Sequence, residues 1–243
     1  MRLNSVIIAA SCIVLVVAFW NRNAIPARID IVPALHGDPE QTKLGESPFE
    51  VRFESVDYRV TPGYRYVLHG LVVSYRHHEG NSRMHRLAGD HLNMLDVCVV
   101  WGSNADPRVL RKLKFWNGIF TCNVKTNDRE AWRSFDMTAL SNNHLISDDP
   151  LIRQQVRKLR IGDQIRVEGM LVSYGANGGP VRSTSTTRED TGDGACETIY
   201  VSRFDIVRPG KNTWRMAMWV SVAILSAALV IHFRRPYQPY ADD

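Results

Sequence analysis

The sequence predicts a mainly β domain (α+β class) with one or two short helices, flanked by two transmembrane helices. Three observations predict it: an apolar segment near each end, several alternating apolar and polar runs between them, and few helical signals. The 243 residues suffice for one sizeable domain or two small ones. With 44% hydrophobic and 23% charged residues, the composition is globular and excludes collagen, disordered chains and disulfide-only miniproteins.

Two segments have the length and composition of membrane spans. Residues 3–20 and 216–233 contain no Asp, Glu, Lys or Arg. At about 1.5 Å per residue each reaches roughly 27 Å, which is enough for a thin bilayer core. Tryptophans, which favour the membrane interface, end the first segment and begin the second. We therefore predict transmembrane helices at 3–20 and 214–233, followed by a short tail at 234–243.

The charges beside these segments bear on their orientation. Arg2 and the pair Arg234-Arg235 favour cytoplasmic termini. Basic residues on the domain side argue the reverse, but long loops translocate largely regardless of charge. We therefore expect cytoplasmic termini and a periplasmic domain, with the lipid bilayer as a partner. A cleaved signal peptide is the alternative for the first segment, although no small-residue cleavage site follows it closely.

Four of the five net positive charges belong to the ends of the chain. Without the six arginines and two aspartates found there, 24 bases and 23 acids remain. The middle domain is therefore nearly neutral, and nucleic-acid binding is not expected.

Of the four cysteines, Cys12 lies in the first span and three belong to the middle domain. Cys98 and Cys122 lie in strand-like runs that can be neighbours in one sheet, so a disulfide between them is geometrically plausible. This disulfide would leave Cys196 unpaired. Buried, reduced cysteines are the alternative.

The middle region divides into a tether and a domain. Residues 21–47 carry prolines and glycines without periodicity, which suits a stalk. The domain is expected at 48–208, where Asp149-Pro150 marks a helix start and a weaker helix runs from about 129 to 140. The strand candidates are 49–53, 64–76, 94–101, 115–125, 164–174 and 197–207.

Two of these strands have a glycine midway in similar surroundings, Gly70 within 68–75 and Gly169 within 167–174. Such glycines permit the bend, with positive φ, by which a small barrel turns its corner. With a helix between these strands and a last strand at 197–207, we predict a five- or six-stranded OB-like barrel. Chance similarity is the alternative to an internal repeat.

The sequences at 141–146 (SNNHLI), 162–166 (GDQIR) and 187–197 (TREDTGDGACE) resemble uncharacterised proteobacterial inner-membrane proteins with one OB-like domain between two spans. The resemblance covers most of the middle domain. It implies a bacterial origin and an inner-membrane location, and it brings no activity or catalytic residue.

A polar segment near the end of the domain is the candidate binding surface. Its acids do not have the spacing of an EF-hand calcium loop, and a turn built on Gly192 and Gly194 accounts for the same residues. The residues of this candidate surface are Arg182, Thr187, Arg188, Asp190, Asp193 and Glu197, together with His144.

Four histidines, His77, His78, His85 and His91, lie close together in the sequence. None has a zinc-site spacing, so we expect a polar loop with solvated histidines, and neither a metal nor a cofactor.

A thiol hydrolase would use one of the three domain cysteines with His144 as base and Asn142 or Asn143 as the orienting residue. No nucleophile elbow or P-loop supports this, and 141–144 is expected to form a capped turn. No catalytic residue is assigned. The preferred function is a membrane-anchored interaction or assembly module that binds another membrane or periplasmic protein. The alternative is a periplasmic metal- or thiol-dependent hydrolase.

Overall fold

The computed structural model describes residues 3–78, 90–118, 120–187, 190–191 and 196–234. The chain forms two compact units. One combines residues 1–24 and 211–243, and the other is residues 25–210.

The described residues contain helices at both ends and mostly strands between them. The helices are α1 (Leu3–Asn21), α2 (Pro107–Leu110), α3 (Arg129–Ser134), α4 (Pro150–Val156) and α5 (Thr213–Arg234), with 3-10 turns at Pro33–His36, Gly102–Ala105 and Met137–Ala139. The strands are β1 (Glu40–Lys43), β2 (Phe49–Phe53), β3 (Val56–His77), β4 (Asn93–Val100), β5 (Lys114–Asn117), β6 (Cys122–Lys125), β7 (Leu140–Ile146), β8 (Gln164–Ala176) and β9 (Cys196–Arg208).

The helices α1 and α5 are long and apolar enough to cross a membrane, with mean hydropathies of 2.4 and 2.1. Asn4 Nδ2 near the start of α1 donates to the Ala228 carbonyl near the end of α5 at 3.2 Å, so the helices run antiparallel. Their buried positions are small or polar, as in helix pairs that associate in lipid: Asn4, Ser11, Ala18, Ser221 and Ala228. Two candidate spans thus lie at the termini, consistent with a two-pass membrane protein.

The middle unit is mainly β sheet with a few short helices, which confirms the predicted class. The 22-residue strand β3 pairs antiparallel with both β4 and β8. Strand β4 pairs with β7, β7 with β9 in parallel, and β9 with β8, so the pairings return to β3. Strands β1 and β2 also pair with β3, whereas β5 and β6 form a separate two-stranded sheet.

Apolar side chains on one face of these strands form the core together with α4. Asp149 begins α4 as predicted, because its carboxylate accepts a hydrogen bond from Leu151 N at 2.7 Å. This core includes Tyr66, Leu68, Val97, Val99, Leu145, Ile152, Val156, Val167, Ile199 and Phe204.

Residues 25–47 differ from the expected stalk, because they pack against the domain. Leu35 is fully buried, and the side chain of Gln164 hydrogen-bonds Val32 N at 2.8 Å and the Asp30 carbonyl at 2.9 Å. Strand β1 pairs with β3. The prolines remove the periodicity that would predict a helix or strand, but single apolar residues such as Leu35 still pack against the apolar surface of the domain.

Three further local predictions were wrong. The run 115–125 is a hairpin of β5 and β6 rather than one strand, and the weaker helix ends at Ser134. The sequence 141–144 lies within β7 rather than in a turn. Its asparagines favour a turn locally, but β7 pairs with strands on both sides, and these pairings hydrogen-bond its backbone.

Gly70 and Gly169 are required for close strand packing rather than for positive φ, which neither adopts. A Cβ on Gly169 would lie 2.2 Å from the Tyr200 carbonyl oxygen, and one on Gly70 would lie 2.7 Å from Val99 Cβ. The register of β8 against β9 shifts between Glu168 and Gly169, so the strand pairing is irregular at this glycine.

Gly169→Ala is therefore expected to lower the free energy of unfolding by about 3 kcal/mol, since the contacted atom is backbone and cannot rotate away. Denaturation of the full chain in detergent, followed by tryptophan fluorescence, measures this loss. The matched control is Gly45→Ala, because nothing lies within 4 Å of that Cβ. Equal midpoints for the two variants would contradict the prediction.

Candidate functional site

A polar face is formed on one side of β4, β7 and β9. Residues opposite each other on paired strands share a face of the sheet. Cys98, Asn142 and Cys196 therefore form one row across the three strands, and the row two residues along is Asp96, His144 and Thr198. We call these six residues the polar face. The neighbouring Val97 and Val99 belong to the apolar core.

Asp96 is at the centre of this face and is 0% exposed. Its Oδ1 lies 2.5 Å from His144 Nδ1 and accepts a hydrogen bond from Asn93 Nδ2 at 3.0 Å. Its Oδ2 lies 2.7 Å from Nε2 of His78, which is also buried. Burial raises the pKa of Asp96, but the hydrogen bonds and charges of the two histidines outweigh burial and bring that pKa below its ordinary value. Asp96 is therefore a buried carboxylate.

His144 connects Asp96 to a thiol. Burial alone would lower the pKa of His144, but hydrogen bonds with Asp96 and Cys196 raise it to about 9. Nδ1 faces Asp96. Cys196 pairs with Asn142, two residues before His144, so the thiol and the imidazole are diagonal neighbours on one face of the sheet.

Cys196 is a free, half-buried cysteine at the start of β9. Asn142 Nδ2 donates to its Sγ at 3.6 Å, and the thiol donates to the Phe120 carbonyl at 3.7 Å. Cys196 also lines a cavity of about 240 Å³ with Asn142, Thr191, Trp132, Cys122 and others. A small molecule in this cavity would meet the sulfur.

The structure joins Cys98 and Cys122 in a disulfide with a Cα–Cα distance of 5.7 Å. The bond ties β6 to β4, and Asn117 on β5 donates to Asn142 Oδ1 at 3.3 Å. The hairpin of β5 and β6 is thereby held against the polar face.

Arg182, a predicted surface residue, is connected to His144 through an aromatic ring. Its guanidinium lies 3.8 Å from the ring centre of Phe120. That ring is 6.0 Å from the ring of His144 and 6.3 Å from the ring of His78. The cation and both imidazoles therefore contact one phenyl group.

On its other side Arg182 faces a second buried acid. Its Nη2 lies 3.2 Å from Asp90 Oδ2, and Tyr174 donates its hydroxyl to Asp90 Oδ1 at 2.7 Å. Burial, followed by the charge of Asp90, raises the pKa of Tyr174. A cavity of about 260 Å³ opens beside these groups and Tyr58.

The structure brings only part of the predicted surface together. Thr187 is exposed and hydrogen-bonds Ser185, which also donates to Asp190. Glu197 is buried, pairs in register with Asn143, and lies on the face opposite Cys196. Arg188 and Asp193 lie outside the described residues.

The histidines that were expected to be solvated differ in their surroundings. His78 is buried against Asp96, which corrects that expectation, whereas His91 faces Glu54 at 3.3 Å. His85 lies outside the described residues. Within the described ranges, no group of three or more His, Cys, Asp or Glu side chains is arranged to hold a metal ion.

Asp96, Asn93 and Phe120 are site residues that were not predicted from the sequence. One signal was present, since Asp96 is the single charged residue within the otherwise apolar run 94–101. An acid at such a place needs buried partners.

The arrangement has the three roles of nucleophilic catalysis: a thiol, an imidazole beside it, and a carboxylate that orients the imidazole. Comparisons of the chain with protein-family models, curated proteins and solved structures find no match.

Proposed function

We propose that this protein is a membrane-anchored, thiol-dependent hydrolase whose nucleophile is Cys196. The observation that carries the proposal is that Cys196 lines a cavity and shares one face of the sheet with His144, whose ring contacts the buried Asp96. Of the functions predicted from the sequence, the thiol hydrolase is the one this geometry supports best.

The strand pairings support an OB-like barrel as the scaffold. The five pairings among β3, β4, β7, β9 and β8 return to their first strand, β7 and β9 are parallel, and α4 connects β7 to β8. A closed sheet holds residues from three strands at fixed spacing. The polar face would thus be preorganised by the scaffold rather than by mobile loops.

The chemistry follows from the three side chains. Cys196 gives its proton to water, and its thiolate, beside the imidazolium of His144, attacks the acyl carbon of a substrate in the cavity. Asn142 Nδ2, now shared between the sulfur and the Phe120 carbonyl at 3.0 Å, is placed to donate to the developing oxyanion. The imidazolium protonates the leaving group, and the imidazole then activates water to hydrolyse the thioester. Asp96 stabilises the imidazolium throughout.

The cavity limits the substrate. Its volume of about 240 Å³ and its lining by Trp132, Met137 and Leu140 suit a short acyl chain. We therefore propose small esters or thioesters.

The test is acetylation of Cys196 by p-nitrophenyl acetate in full-length protein carrying Cys12→Ser. We expect mass spectrometry to find acetyl on Cys196, and His144→Gln to lower the acetylation rate at least about tenfold. The matched control is His91→Gln, which removes a histidine outside the site. Absence of acetyl-Cys196, or equal rates in the two histidine variants, would reject the proposal.

We further propose cytoplasmic termini and a periplasmic domain in a bacterial inner membrane. The Cys98–Cys122 disulfide supports this orientation, because disulfides persist in oxidising compartments. We expect a periplasm-active reporter to be active when fused after Tyr174 and silent when fused after Asp243. The opposite pattern would overturn the orientation.

A second candidate function is docking of another membrane or periplasmic protein. A cleft of about 430 Å³ contains Trp132, which is 47% exposed, with Lys125, Arg129 and Arg133 around it. Its acid, Asp128, is engaged by Lys112 at 3.0 Å and caps α3. The remaining positive charge supports an acidic segment as the partner.

A glutamate-rich peptide containing one tryptophan tests this candidate by fluorescence anisotropy. The double variant Arg129→Glu/Arg133→Glu should weaken binding at least about tenfold, whereas Arg108→Glu should not. Equal affinities would remove the candidate.

A further inference from the structure

Two of the three domain cysteines line one cavity, and the third, Cys98, is bonded to one of them. Cys98, Asn142 and Cys196 are consecutive positions of one row across β4, β7 and β9. Cys122 and Cys196 both line the cavity of about 240 Å³. The Phe120 carbonyl, two residues before Cys122, accepts hydrogen bonds from Asn142 Nδ2 and from the thiol of Cys196. A disulfide and a free thiol are therefore neighbours beside one imidazole.

We propose that Cys196 exchanges with this disulfide, so that the domain has two alternative pairings, Cys98–Cys122 and Cys122–Cys196. The inference rests on the nucleophilic Cys196 of the proposed function and names an electrophile within the chain. The exchange needs no external oxidant or reductant.

The step balances within the site. Cys196 gives its proton to water, and its thiolate attacks Cys122 Sγ, forming the Cys122–Cys196 bond. The Cys98–Cys122 bond breaks, and its electron pair leaves on Cys98 Sγ, which then takes a proton from the imidazolium or water.

Distance decides which sulfur is attacked. Cys98 and Cys196 are separated by the intervening strand β7, which places their Cα atoms about 10 Å apart at ordinary strand spacing. A disulfide requires a Cα separation below about 7 Å. Cys122, by contrast, is half buried on β6, which pairs with β5 and with no barrel strand among the described residues. A hinge motion of that hairpin can bring it to Cys196.

The released cysteine has a suitable environment. Cys98 is fully buried among Leu71, Val73, Val100 and Leu110. A protonated thiol behaves there as a small apolar side chain. Exchange would therefore move the attachment of the hairpin from β4 to β9 and would block Cys196 as a nucleophile.

The test uses two single variants in the full chain carrying Cys12→Ser, each with two cysteines left. In Cys98→Ser we expect a Cys122–Cys196 disulfide and no free thiol after denaturation in N-ethylmaleimide. The matched control is Cys122→Ser, which leaves Cys98 and Cys196 on separated strands, and we expect two free thiols there. Free thiols and linked peptides are measured by mass spectrometry after air oxidation.

Two free thiols in Cys98→Ser, or equal pairing in both variants, would overturn the exchange. If Cys98→Ser does not fold, the parent protein decides, because exchange at pH 8.5 must yield maleimide-labelled Cys98 with linked Cys122 and Cys196 peptides. Absence of these species there would also overturn it. Acetylation of Cys196 without exchange would reject this inference alone, and exchange without acetylation would reject the hydrolase alone.

Discussion

Replacing Asp96 with alanine is expected to lower the free energy of unfolding by about 3 to 5 kcal/mol, because it leaves buried imidazoles without their carboxylate. The carboxylate contacts His144 at 2.5 Å and His78 at 2.7 Å, and all three side chains are buried. Urea denaturation of the full-length protein in detergent at pH 7 measures the loss. This is the largest stability change expected for a polar residue of the site.

The matched control is Asp57→Ala, which removes an aspartate from the exposed ion pair with Arg52 at 3.8 Å. Its expected cost is below about 1 kcal/mol. In Asp96→Asn, the pKa of His144 should fall well below 9, because the burial that opposes the charged ring then acts without its main counterion. Histidine NMR measures this pKa. A loss no larger than that of Asp57→Ala would contradict the central position of Asp96.

Local patterns sufficed to predict much of the architecture. Long apolar segments without charged residues identified both candidate spans. The alternation of apolar and polar residues at period two identified strands on either side of Gly169. The Asp149-Pro150 pair located the start of α4, because a side-chain cap and a proline at the first helical position act within one turn. Each of these signals depends on residues that are close in sequence.

The site could not be predicted in the same way, because its contacts are nonlocal. His144 and Asp96 are 48 positions apart and meet only when β4 pairs with β7. The asparagines beside His144 favour a turn when considered locally, and strand pairing on both sides overrides this preference. The packing of 25–47 was missed for a similar reason, since its partner Gln164 lies more than a hundred residues away.

Raising the pH from 6.5 to 9 is expected to lower the free energy of unfolding by about 3 kcal/mol. The pKa of His144 is raised from 6.5 to about 9 in the folded protein. The folded state therefore binds a proton that the unfolded state has lost, and each unit of difference is worth about 1.4 kcal/mol. This contribution is complete below pH 6.5 and disappears as the pH passes 9.

Two other groups with shifted pKa values, His69 and Asp96, change the stability little between pH 6.5 and 9. His69 has a pKa lowered by burial and by Arg166, so above pH 6.5 it is neutral in both states. The pKa of Asp96 is lowered, so its contribution is lost only in acid, as the pH falls below about 4. The alkaline decline therefore belongs chiefly to His144.

Urea midpoints of the full-length protein at pH 6.5, 7.5, 8.5 and 9, without reductant, test this prediction. His144→Gln should show a nearly flat profile over the same range, and His91→Gln should keep the decline of the parent. A parent profile that is flat, or that rises, would mean that His144 is neutral in the folded protein. In that case the thiolate of Cys196 would lack the neighbouring imidazolium on which the proposed acylation depends.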